Sequence, residues 1–464
     1  MIGNTAMDVM HRLQRAAPPG QEVLADRTVD QLKALTAELL GRRPGAVDEH
    51  GRFAAIRHRT IVLPPHRMGA AVAGRTILVT GGSGCVGHAL LTALTALRPA
   101  RLISLADIAP KQRVAGVEYL HGDVRDEPML GRLFAARRPE VVFHLAAQRD
   151  PGRAEREPAA ALGSNVLGTR NLLAVAERTG VGRFVYASTG KAMRPYTPDV
   201  YAGSKRLGEW LVAETAARGM MACSGVRFTH VVDNSIIMRR LRAWCARGSV
   251  VRLHALDTMF YVQSALESAQ LLLTALTAPT DDVFRLHLIR DLGWPINLLD
   301  LALGTMAAHR TVAPIYLAGP EPGYERAAYP GLYDPRYAGE LSPLINAIEA
   351  PVAVPSPCPE VDVVPMPRPY PGWLPNGLDA LERACRHDDD AARHRHDELG
   401  RQVLAAVAKT APPATLHRVT KLTAPHRPSM PAEHRLIDDA FRAALAAPAG
   451  RPPDRFLARA VAAR

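Results

Sequence analysis

Tyr201 and Lys205 stand four residues apart in Tyr201-Ala-Gly-Ser-Lys205, a spacing that puts both side chains on one face of a helix. An ammonium beside a phenol lowers the phenol's pKa, so this pair can take or give a proton near neutral pH. Just upstream, Ser188-Thr-Gly-Lys-Ala192 supplies a further group. Thr189 can hydrogen-bond a reacting substrate oxygen. A Tyr-x-x-x-Lys pattern is weak alone and gains weight only from the elements that carry it.

Those elements begin at Thr76-Ile-Leu-Val-Thr-Gly-Gly-Ser-Gly-Cys-Val-Gly87. This reads as a buried strand running through a glycine turn into a helix whose apolar face is Val86, Leu90, Leu91 and Leu94. Gly81 allows the tight turn, Gly84 lets the backbone approach a pyrophosphate, and Gly87 lets the helix pack on the strand. Ser83, Cys85 and Val86 complete the loop at a helix N-terminus, where free N–H groups and the dipole favour phosphate. The context favours dinucleotide binding over an ordinary Gly-rich turn.

Further strands are expected over 101–106, 116–121, 141–147 and 183–187, with helical patterns between them. That alternation predicts an α/β, doubly wound parallel sheet with its ligand at the carboxyl ends of the strands. Asp107, at the second strand's end, suits the adenosine ribose hydroxyls and repels a 2′-phosphate, which favours NAD over NADP; Lys111 and Arg113 lie nearby. Asp123, followed by Val124, suits the adenine amino group. Leu145, Ala146 and Ala147 let the backbone lie against a cofactor, and Asn165 follows in the next helix. Tyr201 and Lys205 come after the fifth strand, where Lys205 can also hold the nicotinamide ribose.

The order of these motifs resembles the extended short-chain dehydrogenase/reductase (SDR) family, a Rossmann fold, over about residues 74–345. Within it, the pattern is most similar to the polysaccharide-biosynthesis branch, the UDP-N-acetylhexosamine 4,6-dehydratases and their epimerase relatives. The carrying residues are His144-Leu-Ala-Ala147, Asn165-Val-Leu-Gly-Thr169, Ser188-Thr-Gly-Lys-Ala192, Lys205-Arg-Leu-Gly-Glu209, Val226-Arg-Phe228 and Asp257-Thr-Met-Phe-Tyr261. The resemblance implies tightly held NAD, oxidation of a sugar C4 hydroxyl, chemistry at the acidified C5, and return of the hydride. It also implies a homodimer formed through two long helices, one beginning near Tyr201.

Departures from the family bear on the reaction. Relatives carry Asp-Lys after the Thr, the Asp protonating the leaving hydroxyl and the Lys removing the C5 proton. Here the pair is Gly190-Lys191, so the resemblance keeps Lys191 as the candidate catalytic base, while the acid is gone and dehydration is in doubt. The Lys191-to-Tyr201 spacing is long and contains Pro195 and Pro198. Thr229-His230 stands where a Gly-Asn pair is usual, and Met259 where an Arg commonly meets the nucleotide phosphates. Arg149, Arg227 and Arg252 are candidate anion contacts for a substrate, with a solvated or structural arginine favoured at each, and His230 is either a substrate hydrogen-bond donor or an ordinary loop histidine. The expected activity is an epimerase or dehydratase on a nucleotide sugar. An NAD(P)-dependent alcohol dehydrogenase or ketoreductase on a non-nucleotide intermediate is the alternative, and a cofactor-binding scaffold the third reading.

The chain of 464 residues is 47% hydrophobic, which predicts a sizeable packed core. Its net charge of +12 comes from scattered arginines without a nucleic-acid motif, so no nucleic-acid partner is expected. Five dispersed cysteines form no CxxC pair, and no apolar run would span a bilayer, so a cytoplasmic protein away from the membrane is expected. Asp390 and His394 have metal-ligand spacing, but a solvated helix face is favoured and no metal is expected. The division expected is a helical N-terminal extension over 1–73, with Thr28-to-Gln31 as a capping box; an NAD-binding domain over 74–227; a substrate-binding portion interleaved with late sheet elements over 228–345; and a Pro-rich and helical C-terminal extension over 346–464. The prolines from 351 to 375 predict an extended segment with little regular structure.

Overall fold

The computed structural model describes residues 5–447 other than 64, 325–327, 335, 337–338 and 368–372. They form two compact units, and each is interleaved along the chain. Among the described residues, one comprises 5–59, 230–265 and 292–324; the other runs over 60–229, 266–291 and 328–447. The N-terminal extension therefore shares a core with the portion expected to bind substrate.

In the smaller unit, helices Ala6–Ala16, Asp26–Arg42, Ala46–Ala55, Ile236–Arg247 and Leu298–Ala308 surround short paired strands. Leu32, Leu35 and Leu39 recur at helical spacing and join Leu13, Phe53, Leu241 and Leu301 in the core. A Cβ at Gly304 would lie 2.2 Å from the Ala46 carbonyl, so glycine there permits close helix contact. The second helix starts at Asp26, with Ala25 at its N-cap. Thr28 therefore lies inside the first turn, and the capping-box expectation is corrected: the acidic Asp26 meets the helix dipole instead.

The larger unit is built on a nine-stranded sheet. In chain order its main elements are β1 (Thr76–Thr80), α1 (Cys85–Ala96), β2 (Arg101–Ala106), β3 (Val117–His121), α2 (Glu127–Arg137), β4 (Val141–His144), α3 (Gly168–Arg178), β5 (Arg183–Thr189), α4 (Val200–Ala217), β6 (Ala222–Phe228), β7 (Arg285–Ile289), β8 (Val354–Pro355), β9 (Val361–Pro365), α5 (Trp373–His387), α6 (Asp389–Thr410), α7 (Pro413–Thr423) and α8 (Ala432–Ala446). The strand order is β8-β9-β7-β6-β5-β4-β1-β2-β3, with β1 to β7 parallel. The near-continuous apolar runs of β1, β4 and β5 follow from burial on both faces of a parallel sheet.

The Pro-rich segment is not structureless. Val361–Pro365 pairs antiparallel with β7, and Val354–Pro355 pairs antiparallel with β9 at the sheet edge. Pro355 and Pro365 sit at strand ends, where the missing N–H costs least, while Val361, Val363 and Val364 between them suit a buried strand. The helical part of the C-terminal extension opens with α5 and α6, parted at Asp388, whose carboxylate accepts the Ala391 N–H at 2.7 Å to cap α6.

Candidate active site

The strand order reverses between β1 and β4, and this switch point is where a parallel α/β sheet opens its crevice. Gly81 follows β1 with φ +72°, and a Cβ there would lie 2.7 Å from the Ala146 nitrogen. Only glycine lets the β1 turn abut the backbone beyond β4. A Cβ at Gly87 would lie 2.4 Å from the Gly81 carbonyl. Gly84 is different: its nearest neighbour would be the Gly81 carbonyl at 3.3 Å, it is the N-cap of α1, and no side chain caps the helix. The α1 N-terminus thus meets an open glycine cradle that a Cβ at Gly84 would begin to fill. These residues fit the pyrophosphate of a dinucleotide.

Asp107 is exposed just past β2. Asp123 is half-buried, and both its carboxylate oxygens accept from Arg125, at 2.9 Å from the backbone nitrogen and 2.8 Å from Nε. Burial opposes ionisation of Asp123, but these bonds outweigh it and hold the carboxyl below its ordinary value. The Arg125 guanidinium also lies within the field of Asp107, so one cation links both acids at the expected adenosine end. Sequence reading passed over Arg125; its place two residues after Asp123 in a short turn was the available signal.

Val124 is buried against Gly168, at the start of α3. Asn165 is fully buried, and its amide is spent within the protein. It accepts the Gln148 N–H at 2.8 Å and donates to the Gln148 carbonyl and to Ser204 Oγ, both at 3.0 Å. It fastens the chain beyond β4 to α4.

β5 ends at Thr189, and α4 begins one residue before Tyr201, so the two meet at the same edge of the sheet as the glycine cradle. Thr189 lies beside the Tyr201 phenol and accepts the Lys191 N–H at 3.4 Å. The expected depression of the Tyr201 pKa by Lys205 is not what this geometry produces. Burial raises the phenol, and the neighbouring Thr189 hydroxyl and the Arg149 charge only partly offset it. The Lys205 ammonium instead lies 4.2 Å over the ring of Tyr186 on β5, and burial draws it down to about 7 against the charge of Glu209. Burial likewise lowers Lys191, to about 8.

Gly190 is enclosed. A Cβ there would lie 2.7 Å from a methyl of Leu344, so the space an acidic side chain would need is filled. Arg227 is 0% exposed and is not available to a ligand. It pairs with Glu209 at 2.8 Å and Glu349 at 2.7 Å, and Arg206 joins the same carboxylates. Ser188 donates to Glu209 at 2.6 Å, which ties this buried network to the end of β5.

His230 and Arg252 belong to the smaller unit. His230 shares a hydrogen bond with Ser235 Oγ at 2.7 Å and stands edge-on to Phe260. Arg252 donates to the carbonyls of Gln21 and Glu22 at 2.8 and 2.6 Å and stacks over Tyr316, so its visible role is to hold the N-terminal extension. Met259 is half exposed. Among the described residues no three potential metal ligands cluster, and no helix is long and apolar enough to cross a membrane.

A glycine cradle at the switch point of a parallel sheet, with Thr189, Tyr201 and Lys205 near the same edge, is the architecture of a dinucleotide-binding α/β domain. The family profile described as "NAD dependent epimerase/dehydratase family" matches residues 77–247, and the chain carries a domain of that extended SDR family. Among curated relatives, "Probable polysaccharide biosynthesis protein EpsC" of Bacillus subtilis is 26% identical over 320 residues, 65% of this chain and 50% of that protein. The dTDP-glucose 4,6-dehydratase of Streptomyces antibioticus is 36% identical over 146 residues, 29% of this chain and 40% of that protein. The chain thus spans half or less of the length of these relatives. The solved structure of Pen from Bacillus thuringiensis, at 19% identity and TM-score 0.53, covers 65% of this chain and 90% of its own, and shares the fold.

Proposed function

We propose that the chain is an NAD-dependent enzyme that modifies a nucleotide sugar through a transient 4-keto intermediate. The observation that carries this is the placement of Thr189, at the end of β5, beside the Tyr201 phenol at the sheet edge that also holds the Gly81–Gly87 cradle. NAD, when bound, supplies the hydride acceptor. Gly84 and the α1 N-terminus would hold its pyrophosphate, Asp107 its ribose hydroxyls, and Lys205 the nicotinamide ribose.

Thr189 would orient the C4 hydroxyl, and Tyr201 would take its proton as the alcohol is oxidised. The 4-ketone acidifies the C5 proton, and Lys191, drawn to about 8 by burial, is matched to remove it near neutral pH. Loss of a C6 hydroxyl as water also needs an acid. Gly190 offers none, and Leu344 occupies the space beside it. Epimerisation is therefore favoured over dehydration.

The alternative keeps the same residues and replaces the substrate with a non-nucleotide alcohol or ketone. The half-exposed Met259, where the family commonly has a phosphate-binding Arg, favours it. Native mass spectrometry of the purified protein with UDP-, TDP- and GDP-sugars separates the two. Retained NAD with a bound sugar nucleotide supports the proposal, and retained NAD with none bound moves the assignment to the alternative.

A further inference from the structure

Every residue of α4 from Ala202 to Ala216 is buried within a single chain. A helix on the outside of a doubly wound sheet ordinarily leaves one face to solvent. On its inner face, Gly208 receives Tyr186 of β5, whose hydroxyl would be 2.0 Å from an added Cβ, and Glu209 reaches Ser188 and Arg227. Gly203, two residues on from Tyr201, points about 200° round the helix at 3.6 residues per turn. A Cβ there would lie 2.2 Å from Nε2 of His396 on α6. The outer face is thus closed by the C-terminal hairpin α5–α6.

The hairpin's docking is specific. Ala392, His396, Leu399, Val403 and Val407 form the buried stripe of α6. Arg393 holds Glu155, whose carboxylate in turn accepts the Val200 N–H at 2.8 Å, at the first turn of α4. Tyr196 hydrogen-bonds Asp397 and packs against Gly400. Tyr196 lies in the lengthened Lys191-to-Tyr201 segment, so the residues inserted there are the ones that receive α6. On the neighbouring helix, Arg170 of α3 pairs with Glu382 of α5 at 2.6 Å and Asp379 at 3.2 Å.

We propose that residues 373–410 are a built-in counterpart of a subunit interface. They occupy the outer face of α4, the helix beginning near Tyr201 through which the sequence resemblance implies a homodimer, and that face is not available to a second copy. One chain thereby completes the support of its own Tyr201–Lys205 helix.

Sedimentation of the full-length protein over a wide concentration range, with hydrogen exchange of residues 200–217 at its two extremes, tests this without reference to substrate. The expected result is slow exchange in 200–217 that dilution leaves unchanged, whether the protein sediments at single-chain mass or assembles through another surface. Dilution that both halves the mass and speeds exchange in 200–217 would overturn the proposal. An Arg393→Ala/His396→Glu variant supplies the converse. With the hairpin loosened, the bared face is expected to self-associate and to double the sedimenting mass. A folded variant whose exchange in 200–217 equals the parent's would also overturn the proposal, and if the variant does not fold, the parent's dilution experiment decides alone.

Discussion

The Lys205 ammonium lies 4.2 Å over the centre of the Tyr186 ring, inside the protein rather than at its surface. The ring face offers a cation some compensation, but burial dominates and lowers the lysine from 10.5 to about 7. Between those two values the unfolded chain binds more protons than the folded one, so this group makes stability rise with pH across that window. Lys205→Met removes the buried charge. The variant is expected to melt above the parent below about pH 7, with the gap closing as pH rises towards 10.5. Calorimetric melting of both proteins across that range checks it, and a constant gap contradicts it.

Tyr201→Phe deletes only a hydroxyl, which lies beside Thr189. Turnover is expected to fall by about 10²–10⁴-fold, the usual contribution of a general acid–base group, with bound cofactor and melting temperature close to the parent's. Assay and thermal melt on the same preparation check it. A loss of activity that tracks a loss of fold would assign Tyr201 a structural role instead.

Gly190→Asp meets the Leu344 methyl, since even the Cβ would sit 2.7 Å from it. Overpacking of this kind costs about 1–3 kcal/mol, and burial of the carboxyl adds to it. Gly190→Asp/Leu344→Ala relieves the clash and is expected to recover part of that loss. Urea unfolding of the single and double variants checks the order. A single variant as stable as the parent would show that the Leu344 contact does not close the position.

Arg227→Met leaves Glu209 and Glu349 buried beside a partner that no longer carries charge. Breaking a buried pair from one side costs about 3–5 kcal/mol, so a large fall in unfolding free energy is expected. Surface pairs such as Arg153–Glu157 are worth far less, and Arg153→Met serves as the control, with a change below about 1 kcal/mol.

The parts of this molecule that were legible in the sequence are those whose geometry is local. Gly81 and Gly87 lie in one turn, and Tyr201 and Lys205 in one helical turn, so spacing alone locates them. Residues made important by distant partners were less legible. Asn165 resembles a cofactor contact but is spent on Gln148 and Ser204. Arg227 resembles an anion site until Glu349, far along the chain, is brought against it. Val361–Pro365 looks like linker because its prolines are visible and its pairing with β7 is not. His396 gave no sign that it would fill the notch at Gly203. The lengthened Lys191-to-Tyr201 spacing was visible, but its use as the α6 docking point depends on Asp397 and Gly400.

The most direct test of the central claim follows a C4-deuterated nucleotide sugar through turnover by the NAD-loaded protein. The account predicts conversion with the deuterium retained in the sugar product and no build-up of free NADH, because the hydride leaves and returns within one active site. Label lost stoichiometrically to released NADH, or no conversion of any nucleotide sugar alongside turnover of a simple alcohol, would contradict it.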